Sequence, residues 1–112
     1  MVIYKIFRAS EWAQLQADGI TDGAPVDVAD GFVHFSTAAQ AAETAAKHFA
    51  NEDGLVLLAL EADTLGEALK WEPSRGGALF PHLYRPLNMS DIAWHSPLPL
   101  VGGAHQFPKG MA

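Results

Sequence analysis

Hydrophobic positions along this chain fall in short continuous runs cut by glycine, proline and aspartate, with few long amphipathic stretches. Val2 to Phe7 is β-branched or aromatic at almost every position, the pattern of a strand near a sheet centre. Leu55 to Glu61 is a second apolar run, bounded by Asp-Gly and Asp-Thr, and reads as a buried strand. Both are apolar on both faces, so both are predicted to be central.

Helical spacing is visible twice. Ser10 is placed to cap a short helix with Trp12 and Leu15 on one face, ended by Asp18-Gly19. Thr37 with Gln40 has capping-box spacing for a helix to about Ala50, its inner stripe Ala38, Ala42, Ala45 and Phe49, its outer face Gln40, Glu43 and Lys47. Residues 20–31 contain Asp-Gly twice and Pro25 without apolar periodicity, which predicts a loop. Short strands are expected at residues 32–35, 69–72, 78–80 and 92–95, separated by Gly, Pro and Asn. The sum is an α+β fold, a mixed and mostly antiparallel sheet of about six strands with two helices. Residues 1–98 are expected to form a single domain, and residues 99–112 a mobile tail.

Composition narrows the chemistry. The chain has 112 residues and no cysteine, which removes a disulfide framework, a thiol nucleophile, a zinc ribbon and an iron–sulfur site together. A hydrophobic fraction of 49% with 18% charged residues is globular composition. The net charge of −6 repels nucleic acids and anionic membranes at long range, so general nucleic-acid binding is not expected. The longest apolar run is too short to span a bilayer, and the N-terminus lacks the pattern of a signal peptide. The expectation is a cytoplasmic protein without a membrane partner.

Charge is unevenly distributed. From Glu11 to Glu67 there are eleven carboxylates against one base, Lys47, whereas residues 68–89 hold Lys70, Arg75 and Arg85 against Glu72 alone. That basic stretch also contains Ser74, Gly76, Gly77, His82 and Tyr84, a set able to hold an anion by charge and by backbone N–H on a glycine turn. A plain hairpin turn with solvated arginines is the alternative. His34 shares a strand face with Phe32 and Ser36 beside the helix that Thr37 opens, where an imidazole is held neutral and suits the orientation of a nucleotide or sugar. The competing reading is a buried histidine bonded to a backbone carbonyl. Phe80-Pro81-His82-Leu83-Tyr84 interrupts an apolar strand with a proline and two polar rings, more than packing alone requires. His34, His82 and His95 lack ligand spacing, so no metal is expected. No Gly-x-Ser-x-Gly elbow, Walker A loop or dinucleotide fingerprint is present.

Ile3-Tyr4-Lys5-Ile6, Asp30-Gly31-Phe32-Val33-His34-Phe35-Ser36-Thr37 with Gln40, Leu69-Lys70-Trp71-Glu72 and Phe80-Pro81-His82-Leu83-Tyr84-Arg85-Pro86-Leu87 together resemble domain-of-unknown-function family 952. More distantly, Phe32-Val33-His34-Phe35-Ser36 before an alanine-rich helix is similar to the ADP-ribosyltransferase-like superfamily, in particular the RNA 2′-phosphotransferases. The chain departs from them at Lys5 and Phe32, where those proteins carry histidines. The resemblance implies a split sheet whose cleft binds a nicotinamide or ADP-ribose-like ligand, NAD among them. Under that reading His34 and Ser36 orient the ribose, Lys5, Ser74 and Arg75 meet phosphate, and Tyr84 stacks on a base. His34, His82 and Glu72 are the candidate catalytic groups of an ADP-ribosyl or phosphoryl transferase. A non-catalytic interaction or dimerisation domain, with tryptophans and phenylalanines on its surface, is the reading of a different class.

Overall fold

The computed structural model describes residues 1–111, with Arg75 described through its backbone alone. In chain order the elements are β1 (Val2–Phe7), α1 (Ala9–Asp18), β2 (Ile20–Thr21), α2 (Pro25–Asp30), β3 (Val33–His34), α3 (Ala38–His48), β4 (Leu55–Glu61), β5 (Leu69–Pro73), β6 (Leu79–Leu83), β7 (Leu87–Asn88), β8 (Ile92–Leu98), β9 (Leu100–Val101) and β10 (Ala104–His105). Six of the strands make two three-stranded sheets, ordered β1-β4-β8 and β3-β6-β5, and every pairing within them is antiparallel. The fold is α+β with several antiparallel sheets and few helices. Among the described residues no helix is long and apolar enough to cross a membrane.

A backbone bridge joins the two sheets. Tyr4 and Ser36 form an isolated antiparallel bridge, Tyr4 N–H donating to the Ser36 carbonyl at 2.8 Å and Ser36 N–H returning to the Tyr4 carbonyl at 2.9 Å. The strands therefore run β8-β4-β1, then the bridge, then β3-β6-β5, and beyond the bridge the sheets part. β4 is central, as its apolar run predicts; β1 ends its own sheet and is covered on its free edge by that bridge.

Alternation along β1 and β4 explains why both read as apolar throughout. Ile3, Phe7, Leu58 and Leu60 enter a core with Trp12 and Leu15 of α1, Val33 and Leu83 of the second sheet, and Leu87 of β7. Tyr4, Ile6, Leu57 and Ala59 face the other way, against Ala45 of α3. Helix α3 opens as predicted: Thr37 Oγ1 accepts from Gln40 N–H at 3.3 Å, and Gln40 Oε1 accepts from Thr37 N–H at 3.0 Å. Its buried positions are Ala41 and Ala45, so the inner stripe includes Ala41 in place of the expected Ala42. Thr37→Ala is expected to cost about 1 kcal/mol, read as a lower urea midpoint at an unchanged slope.

Three expectations change. The helix predicted to start from Ser10 is capped by Arg8, whose N–H is taken by Glu11 Oε1 at 2.8 Å. Residues 20–31 are not a plain loop: they hold β2 and the one-and-a-half-turn helix α2, with Pro25 at its first turn and Gly31 at its left-handed C-cap, φ 85°. The segment after Pro99, expected as a mobile tail, carries the β9–β10 hairpin, and Phe107 and Met111 pack against the core around Tyr4 and Leu57. His105 Nε2 bonds the Glu52 carbonyl at 2.7 Å, which ties that hairpin to the loop before β4.

Candidate functional site

The register of β6 positions the site. His82 lies directly opposite His34 of β3 on one side and Lys70 of β5 on the other, while Leu83 lies opposite Val33 and Leu69. Leu83, Val33 and Leu69 turn into the core, so by strand alternation His34 and His82 share the opposite face. Their ring centroids are 5.2 Å apart. Pro81 sits in this central strand because its backbone faces the end of the two-residue β3, where its carbonyl accepts from Phe35 N–H at 3.0 Å and its missing N–H is not needed.

A cleft of about 520 Å³ opens where the two sheets part. Tyr4, Lys5 and Ile6 of β1 line one wall, His34, Phe35 and Ser36 the floor, and Phe80 and His82 of β6 the other wall; Arg8, Asp30, His48 and Ser74 stand around it. The candidate residues Lys5, His34, Ser36, Ser74 and His82 are thus brought together. Glu72 and Tyr84 are not in the cleft lining; they stand behind His82. Tyr84, 42% exposed, lines a separate hollow of about 270 Å³ with Phe32 and Arg85. The Arg75 side chain lies outside the described residues.

Behind the cleft is a buried carboxylate that the sequence reading passed over. Asp27 of α2, whose side chain is 0% exposed, accepts from Lys5 Nζ at 2.7 Å, Ala24 N–H at 2.7 Å, and His34 at both its backbone N–H (3.0 Å) and Nδ1 (2.6 Å). Burial pushes its carboxyl up, but the bonds from His34 and the charge of Lys5 outweigh this and leave it below the ordinary range. Burial lowers the Lys5 ammonium, with Asp27 opposing. Lys5 is therefore a paired, buried charge and not the free phosphate contact the resemblance implies. Gly23 makes room for Asp27: its φ is 102°, and a Cβ there would stand 2.3 Å from Asp27 Oδ2.

His34 is held from both sides of its ring. Its Nε2 meets Asp30 Oδ2 at 3.0 Å, so each ring nitrogen faces a carboxylate of α2. His82 has one such partner: Nδ1 is 2.8 Å from Glu72 Oε1, and the Tyr84 hydroxyl donates to the same oxygen at 2.6 Å. The Tyr84 bond first, and His82 second, hold the Glu72 carboxyl below its usual range. Phe32 lies among these rings, its centroid 4.3 Å from His82, 4.6 Å from His34 and 5.0 Å from Tyr84. At the cleft rim Arg8 grips Glu52 through Nε at 2.9 Å and Nη2 at 3.0 Å, with its guanidinium over Phe49.

Asp27, Asp30 and Arg8 are the residues of the site that sequence reasoning missed, whereas Phe32 was read on the His34 face. The signal for Asp27 was present: Pro25 at a first helical position, a carboxylate two residues on and Gly31 at the exit make a short-helix signature.

Two antiparallel three-stranded sheets that part at a backbone bridge, with carboxylate-bonded histidines in the opening, characterise this protein. The chain belongs to the DUF952 family of proteins of unknown function, whose family model matches residues 6–95. It is similar to protein CC0527 from Caulobacter crescentus: the crystal structure of that protein is 53% identical with a TM-score of 0.91, over 95% of this chain and 94% of the other. The solution NMR structure of the same protein gives 53% identity and a TM-score of 0.83, over 93% and 90%. No curated protein matches the chain.

Proposed function

We propose that the cleft binds a small phosphorylated ligand of the nucleotide class, with NAD and ADP-ribose as the leading candidates. The observation that carries this reading is convergence: Lys5, His34, Ser36, Ser74 and His82 come from four separate stretches of chain and meet around one opening. Its volume of about 520 Å³ lies within the roughly 300–1,000 Å³ of small-molecule sites. Tyr4, Phe35, Phe49 and Phe80 are among its lining residues, and Ser74 brings the β5–β6 turn that carries Arg75 to its edge. A split antiparallel sheet also suits the distant resemblance to ADP-ribosyltransferase-like proteins, in which the ligand lies between the parting sheets. ADP-ribosyl or phosphoryl transfer is the chemistry such a pocket would carry, with His82 and Glu72 as its titratable pair.

The test is a thermal-shift series with NAD, ADP-ribose, mononucleotides and inorganic phosphate. A ligand at one hundred times its dissociation constant adds about 2.7 kcal/mol, which raises the melting temperature of a chain this size by roughly 10 °C. Stabilisation by a nucleotide and not by phosphate alone is expected. No stabilisation by any of them overturns the reading and favours the interaction-domain alternative.

A further inference from the structure

We propose that His82 presents an unprotonated Nε2 to the cleft as a fixed hydrogen-bond acceptor, that Glu72 is the positioning residue that holds this tautomer, and that the group received there is a ribosyl hydroxyl. The ligand rests on the nucleotide reading above; the acceptor rests on geometry alone.

The acceptor follows from proton counting. An ionised Glu72 can only accept, so at 2.8 Å the His82 Nδ1 must donate. A neutral imidazole carries one N–H, which leaves the lone pair on Nε2. The carboxylate is itself pinned, because Tyr84 donates to the same oxygen at 2.6 Å. The ring is pinned as well, stacked on Phe32 at 4.3 Å with an interplanar angle of 28°. His82 is 5% exposed and lines the cleft, and its Nε2 has no partner among the described side chains. A buried acceptor left unpaired carries a desolvation cost that a ligand donor recovers.

The chemistry of that donor is constrained by the neighbours. Asp30, at 3.0 Å from His34 Nε2, puts a carboxylate on the same part of the cleft, and a lone pair beside a carboxylate repels phosphate. Hydroxyl groups, which donate without carrying charge, are accepted there. In a nucleotide those are the ribosyl hydroxyls, and the phosphates are directed to another part of the opening.

Two-bond proton–nitrogen NMR on the full chain with labelled histidine reads the tautomer without any ligand. The wild-type His82 ring is expected with Nδ1 protonated and Nε2 bare. Glu72→Gln keeps an acceptor oxygen and should keep this pattern, whereas Glu72→Ala should release a mixture of tautomers and weaken ADP-ribose about tenfold, the equivalent of one hydrogen bond. A proton on Nε2 in the wild type, or an unchanged tautomer in Glu72→Ala, overturns the acceptor assignment whatever binds. ADP-ribose should then shift the Nε2 resonance and inorganic pyrophosphate should not. Equal shifts from both overturn the ribosyl assignment. The expected tautomer with no shift from either overturns the ribosyl assignment together with the nucleotide reading, and leaves the acceptor itself standing.

Discussion

Replacing Asp27 with asparagine is expected to lower the unfolding free energy by about 3–5 kcal/mol, a large part of the roughly 5–15 kcal/mol that holds a domain folded. The carboxylate is fully buried and gathers Lys5, Ala24 and His34 around it. Asparagine keeps the shape and one acceptor but strands the Lys5 ammonium, whose side chain is only 7% exposed, without a counter-charge. Lys5→Met combined with Asp27→Asn removes the stranded charge and should recover a substantial part of the loss. Urea denaturation checks both; a loss below about 1 kcal/mol for the single variant, the size of an ordinary substitution, would contradict the role given to Asp27. Acid provides an independent reading. The native carboxyl of Asp27 sits below its ordinary range, so its contribution is fully present above the unfolded value of about 3.9 and is lost as pH falls through the lower native value. Wild-type stability should therefore fall more steeply below pH of about 4 than that of Asp27→Asn.

Arg75→Ala is expected to weaken nucleotide binding ten- to hundredfold, the equivalent of roughly 1.5–3 kcal/mol for a lost charge-assisted contact. Arg75 stands in the turn between β5 and β6, where Gly77 N–H donates to the Ser74 carbonyl at 2.9 Å and Gly76 and Gly77 take φ of 66° and 82°. Ser74 of the same turn lines the cleft. The effect on folding is expected to stay within the about 1 kcal/mol of an ordinary substitution. Calorimetric titration of ADP-ribose at two salt concentrations checks this, since losing a phosphate contact should also reduce the salt dependence. Equal affinities would remove Arg75 from the site.

The legible parts of the fold were those set by local chemistry. The β1 and β4 runs, the Thr37–Gln40 capping box and the glycine after Asp18 each act through neighbours a few residues away. The parts misread depend on distant partners. Helix α2 exposes Val26 and Val28 and buries a carboxylate, the reverse of an amphipathic pattern, because its inner face meets Lys5 and His34 and not an apolar core. The β9–β10 hairpin is held by His105 reaching the Glu52 carbonyl and by Phe107 against the core, contacts that no spacing encodes. Within the site, the shared face of His34 and Ser36 was readable from alternation. That His34 lies opposite His82 was not, since register between β3 and β6 is set by the packing of Val33 on Leu83.

The claim that the parting of the two sheets is a nucleotide site is tested most directly by amide NMR of the labelled chain titrated with ADP-ribose. Saturable shifts confined to Tyr4, Lys5, His34, Ser36, Phe80 and His82, with Ile20 of β2 unmoved, are the result predicted. No shifts at millimolar ligand, or shifts centred away from those residues, would contradict it.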